Sequence, residues 1–141
     1  MKKLISAIMM LVLMAAAMPA NAQAQVLGGS NNQTIGKVES DGTIRNANNS
    51  TIGKVERDGT IRNANNSKVG KIESDGTIRN ANNSKIGKVE SDGTVRDGNN
   101  SKVGKVESDG TIRNANNSTI GKASGVDKKL AAAIFFMNVL K

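Results

Sequence analysis

Arg45, Arg62, Arg79, Arg96 and Arg113 recur every seventeen residues. A guanidinium is planar, permanently charged and able to grip a carboxylate or phosphate through two parallel hydrogen bonds. Five of them gathered round one axis would hold an anion, and they are the candidate ligand-binding residues of the chain. Each also has carboxylates close by in sequence, as Glu39 and Asp41 precede Arg45. Pairing with such a neighbour competes with any ligand. The Glu39–Asp41 pairs could themselves do acid–base work. Flanked by Lys37 and Arg45, however, they read more simply as solvated, neutralised turn residues.

Other chemistry is thin. The chain has no His, Cys, Trp or Tyr, which removes imidazole and thiol nucleophile systems and ordinary zinc sites. Ser and Thr are plentiful but have no evident base. Calcium binding through Asp41, Asp58, Asp75, Asp92 and Asp109 is conceivable, yet Ser-Asp-Gly lacks the closely spaced oxygen ligands of a calcium loop. No metal or cofactor is expected, and the chain does not read as an enzyme. Asn48-Asn49-Ser50 and its copies match the N-x-[ST] acceptor pattern, which in a bacterial-looking exported protein is a coincidence of turn sequence. The formal charge of +8 favours solubility and weak attraction to anions. Without an aromatic platform it is not a nucleic-acid footprint.

The elements that must carry these residues follow from the repeat. Ile35 to Thr51 returns almost unchanged, its opening aliphatic residue falling at Ile35, Ile52, Val69, Ile86, Val103 and Ile120. A fixed period of this kind specifies a repeat architecture. Ile35 to Glu39 and Thr43 to Asn46 carry β-branched residues and read as two short strands. Ser40-Asp41-Gly42 between them is hairpin chemistry, because Asp favours the turn and Gly accepts positive φ. A three-residue loop there predicts Val38 opposite Ile44 on one face and Lys37 opposite Arg45 on the other. Ile35 then lies on the wrong face by strict alternation, and Gly36 marks a candidate bulge to correct it. Ala47-Asn48-Asn49-Ser50 predicts a second turn, its asparagines able to enter the left-handed region. Asp97-Gly98 stands in that turn in the fourth unit, which requires an exposed loop.

The ends are informative. Lys2 and Lys3, the apolar run Leu4 to Ala17 and Ala20-Asn21-Ala22 have the layout of a secretory signal peptide over residues 1–22. Export to the periplasm, cell surface or medium is therefore expected. A repeat domain over 23–123 follows, comprising a half-unit at 26–34, five full units at 35–119 and a half-unit at 120–123. The two half-units supply what a ring needs to close, leaving five-fold and six-fold closure both open. Residues 124–141 break the pattern. Asp127 can cap a short helix with apolar residues on all sides, and Leu130 to Leu140 is too short to span a bilayer. The segment is expected to plug the ring or to make a homo-oligomer contact.

Two all-β arrangements suit such units: a closed ring of hairpins, or a two-sided β-solenoid. A solenoid would file Lys37 and its copies into one column and Glu39 and its copies into another, which is unfavourable. The ring is the expected fold. The [IV]-G-K-V-E-S-D-G-T-[IV]-R-N-A-N-N-S repeat over residues 26–123 resembles the β-flower proteins of Bacteroidetes, four-fold or five-fold. That resemblance implies hairpin petals radiating round an axis and brings no catalytic residue with it. The expected role is a non-enzymatic structural or binding scaffold presenting repeated loops to a glycan, anion or envelope protein. The alternative is a curli-like fibre-forming protein.

Overall fold

The computed structural model describes residues 24–140, so the signal-peptide expectation at 1–22 lies outside the described residues. Twelve strands form one closed antiparallel barrel in which each strand pairs with its sequence neighbours and β1 closes on β12. Strand β1 is Gln25–Gly29. The five continuous hairpins are β2 (Thr34–Val38) with β3 (Thr43–Asn46), β4 (Thr51–Val55) with β5 (Thr60–Asn63), β6 (Lys68–Ile72) with β7 (Thr77–Asn80), β8 (Lys85–Val89) with β9 (Thr94–Asp97), and β10 (Lys102–Val106) with β11 (Thr111–Asn114). Strand β12 (Thr119–Lys122) precedes helix α1 (Lys128–Phe136).

The closure is six-fold. Gly28 faces Lys122 and Gly29 faces Gly121, which is the register of Arg45 on Lys37 and Asn46 on Gly36 within a continuous petal. The sixth petal is thus assembled from the two ends of the chain, with Gly28 standing where the other petals carry arginine. The solenoid alternative fails, since the copies go round an axis and do not stack in columns.

Each hairpin has the register its loop dictates, with Lys37 opposite Arg45 and Val38 opposite Ile44. Glu39 N–H donates to Thr43 O at 2.8 Å, and Gly42 N–H donates to Glu39 O at 2.9 Å with Gly42 at φ +91°. Between petals the ladder slips by one residue: Ile44 faces Gly53 and Arg45 faces Thr51, leaving Ile52 as the extra residue. That bulge turns Ile52 inward, where it is half-buried against the core with its copies Val69, Ile86, Val103 and Ile120. The bulge also explains the glycine beside it. A Cβ on Gly70 would lie 2.7 Å from Arg79 O, closer than side-chain carbons approach.

Twelve strands enclose more space than their own inward side chains fill, and the C-terminal segment occupies it. Asp127 caps α1, accepting hydrogen bonds from the backbone N–H groups of Lys129 and Leu130, and Ala131, Ala132 and Ala133 are fully buried. Beyond them the side chains spread round the ring. Phe135 packs over Gly121, Phe136 over Gly104, Met137 over Gly87, Val139 over Gly70 and Leu140 over Gly53. Five successive petals thus each seat one side chain of the tail on a glycine. The helix ends at Phe136, and Asn138 adopts φ +54°, which redirects the chain toward the last two seats. The segment expected either to plug the ring or to join two copies is a plug. Leu130 and Val139 are buried against its own barrel, and Ile134, Phe135, Phe136, Met137 and Leu140 pack on the same core while staying partly exposed.

Candidate functional site

Strand alternation decides where the arginines go. Ile44, Ile61, Ile78, Val95 and Ile112 are fully buried and face the interior, so Arg45, Arg62, Arg79, Arg96 and Arg113, one residue on, lie on the outer face. They do not converge on the axis, which holds the apolar plug. Arg62, Arg79 and Arg96 each place Nε 3.0 Å from the Glu56, Glu73 or Glu90 carboxylate of the same petal. Arg113 does the same to Glu107 at 3.1 Å. Arg45 Nε also lies 3.1 Å from Glu39 Oε2 but off the hydrogen-bonding line, so that pair is held by charge alone. These pairs are about one-third exposed, a setting in which an ion pair contributes roughly 0–1 kcal/mol.

Each arginine has a second task that sequence reasoning missed. Its Nη1 donates to the carbonyl of the left-handed asparagine in the following turn, as Arg79 does to Asn83 O at 3.1 Å. In that turn Asn46 Oδ1 accepts the backbone N–H groups of Asn48 and Ser50, both at 3.0 Å. Asn49 takes φ +69°, and Asn32, Asn66, Asn83, Asn100 and Asn117 adopt the same conformation. Asp97 serves as well as asparagine because only its acceptor oxygen is used, toward Asn99 and Ser101 at 2.9 Å. Arg and Asn/Asp together fix the shape of the loop tip. The side chains of Asn48 and Asn49 stay exposed. Six such tips crown one end of the barrel, a surface that only the closed topology brings together.

The opposite end carries the Ser-Asp-Gly turns. The Thr43 N–H donates to Asp41 Oδ1 at 2.9 Å, and the same bond recurs in every continuous petal. That backbone hydrogen bond, first among the causes, holds each aspartate carboxyl below its ordinary 3.8, and the lysine of the next petal assists, as Lys54 does for Asp41. Because the folded pKa is depressed, the stabilisation is complete above the unfolded value and disappears as pH falls through the folded one. Acid should therefore weaken the ring progressively below about pH 4. A variant with Asn at positions 41, 58, 75, 92 and 109 keeps the acceptor oxygen. Its urea midpoint is expected to fall less between pH 7 and pH 3 than that of the wild type. An equal fall in both would show that these turns play no part in acid sensitivity.

Among the described residues, no three carboxylate, His or Cys side chains come together as a metal cage. No helix among them is long and apolar enough to cross a membrane. Lys129 Nζ reaches Ser74 O at 3.3 Å, which places the start of the plug at the Ser-Asp-Gly end. A shallow groove there is lined by Asp92, Lys105, Glu107, Ser108, Asp109 and Lys128, charges of mixed sign around a single serine hydroxyl.

In comparisons with known proteins, residues 24–138 match the family described as 5-fold beta-flower protein. No curated protein and no solved structure matches the chain.

Proposed function

The chain belongs to the 5-fold beta-flower family, and from that premise we propose that it is an exported, non-catalytic scaffold whose repeated loop tips bind a glycan. The observation that carries this reading is the crown of six tips, five of one build and a sixth, at Gly29–Gln33, that keeps their left-handed asparagine but has Gly29 in place of the acceptor side chain. In each full repeat the backbone is locked by an Asn or Asp acceptor and an arginine, while two amide side chains are left free for a ligand. Amides offer a donor and an acceptor to neighbouring hydroxyls. Identical copies on one rigid rim convert weak single contacts into avidity. The signal-like residues 1–22 support export, and the want of any nucleophile with a base supports a role without catalysis. A closed barrel has no free strand edge to template a fibre, which favours a monomeric scaffold over a curli-like assembly.

The test is a glycan array. Wild type is set beside a variant with Ala at positions 48, 65, 82, 99 and 116. These asparagines take no side-chain part in the turn hydrogen bonds, so the fold should persist. Selective glycan capture by the wild type, lost in the variant, is the expected result. Equal signals would remove the tips as the recognition surface. Mature protein that raised thioflavin fluorescence on standing would return the fibre reading.

A further inference from the structure

The outer face of the barrel is not the same all the way round. At the position that follows each crown tip the chain carries Thr34, Thr51, Lys68, Lys85, Lys102 and Thr119 in order, and all but Thr34, which faces Gly28, stand opposite the arginine of the preceding strand. Where threonine stands, it is used: Arg45 Nη1 donates to Thr51 Oγ1 at 2.9 Å, and Arg113 Nη1 to Thr119 Oγ1 at 3.1 Å. Where lysine stands, the register sets cation against cation. Lys68 faces Arg62, Lys85 faces Arg79 and Lys102 faces Arg96. Each of those arginines also has a lysine across its own hairpin, Lys54, Lys71 or Lys88, and a single glutamate to share.

Like charges directly opposite one another on a sheet destabilise it. Threonine at the same place, as in two other petals, would give a hydrogen bond instead. The arrangement occurs on three consecutive petals and nowhere else among the full repeats. A lysine needed only for solubility gains nothing from that register. We infer that the arc formed by Lys68, Lys85 and Lys102, each beside its partner arginine, is a binding face for a linear acidic polysaccharide.

The geometry suits such a chain. Equivalent positions on adjacent petals lie two strands apart, roughly 10 Å at about 4.8 Å per strand, on the scale of a disaccharide repeat. All three lysines are exposed, and one serine separates each from the exposed asparagines of the crown, as in Asn65-Asn66-Ser67-Lys68. Acid groups would meet the cations while hydroxyls meet the amides. Asp97, at the start of the tip before Lys102, offsets part of that lysine's charge, so the attraction is graded along the arc. Nucleic acid is disfavoured because no aromatic side chain stands beside the lysines; both phenylalanines are in the plug. An anionic membrane is disfavoured because the large apolar residues left exposed, Val26 and Ile35, lie on the other side of the ring.

This inference rests on the chain being a binding scaffold, and the experiment separates the two. Binding of polygalacturonate, neutral dextran and duplex DNA would be measured by calorimetry on wild type and on the K68T/K85T/K102T variant. The substitutions copy the threonine of other petals, so the variant should fold and melt at least as high as wild type. Wild type is expected to bind polygalacturonate, more weakly as salt rises, and the variant to lose tenfold or more. Unchanged affinity in the variant, or equal binding of DNA by wild type, would overturn the arc as an acidic-polysaccharide site. Capture of a neutral glycan by wild type without polygalacturonate binding would also overturn it, yet leave the scaffold reading standing.

Discussion

A chain ending at Gly125 is expected to lose cooperative folding. The plug fills the interior of a twelve-stranded barrel, and without it Ile44, Ile61, Ile78, Val95 and Ile112 would line a space open to water. Burying one large apolar side chain contributes roughly 1.5–3 kcal/mol. Leu130 and Val139, with the partly buried Phe135, Phe136, Met137 and Leu140, would together forfeit an amount comparable to the whole stability of a domain, about 5–15 kcal/mol. Circular dichroism on heating should show the cooperative transition abolished, with binding of an apolar dye appearing at room temperature. A subtler variant makes the same point. Ala132→Glu sets a carboxylate where the wild-type side chain is fully buried, with no partner available, and should destabilise by about 4 kcal/mol or more. A truncated chain that melted like wild type would show the ring to be self-sufficient and the tail to be free for other uses.

The petals were readable in the sequence because their determinants are local. Ser40-Asp41-Gly42 specifies a three-residue loop, and the loop alone fixes Lys37 on Arg45 and Val38 on Ile44. The bulge at Ile52 was readable for the same reason: a three-residue spacing between inward aliphatics cannot be met by a regular strand. Closure was signalled by complementary half-units, and a shift of seventeen lays Gly28 and Gly29 over Arg45 and Asn46, which left a sixth unit open. The choice of six over five rests on the backbone pairing of β1 with β12. The arginines were found as a set, and of the two readings open for them the pairing of each with a neighbouring carboxylate is the one present, not a circle on the axis. Alternation from Ile44 sends them outward, and an axis already filled by apolar side chains has no place for guanidiniums. Their second task, pinning the asparagine turn, depends on Asn83 O and its copies, a backbone atom that residue type does not reveal. Nor could residue types show that Phe135, Phe136, Met137, Val139 and Leu140 each have a glycine waiting. That match joins residues from opposite ends of the repeat array.

The turn glycines make a second large prediction, and two substitutions at Gly76 with one at Gly98 isolate its cause. Gly76 adopts φ +94°, where an L side chain is strained by roughly 1–3 kcal/mol. It also abuts the next petal: Val89 N–H donates to Gly76 O at 2.9 Å, and a Cβ on Gly76 would collide with Val89 O and lie 3.2 Å from Val89 C. Gly76→Ala should therefore lower stability by about 2–4 kcal/mol in urea denaturation, since the strain and the collision both act. Gly98 is the control. It occupies the tip position that continuous petals elsewhere fill with alanine and is exposed, its φ is not positive, and a Cβ there would lie 3.0 Å from Lys85 O, an approach that the alanines of the other tips show the turn can take. Gly98→Ala should be neutral or stabilise by roughly 0.4–1 kcal/mol through the unfolded chain. Gly76→Asn then separates the two causes at the first site. Asparagine enters the left-handed region readily, as Asn83 does at φ +69° in the same petal, but it still carries a Cβ. If the collision with Val89 O dominates, Asn should be nearly as damaging as Ala, and the loss should appear as weakened docking between petals rather than as a broken hairpin. Recovery of most of the stability by Asn would instead assign the loss to backbone strain within the hairpin, and would mean that neighbouring petals can shift to admit a side chain.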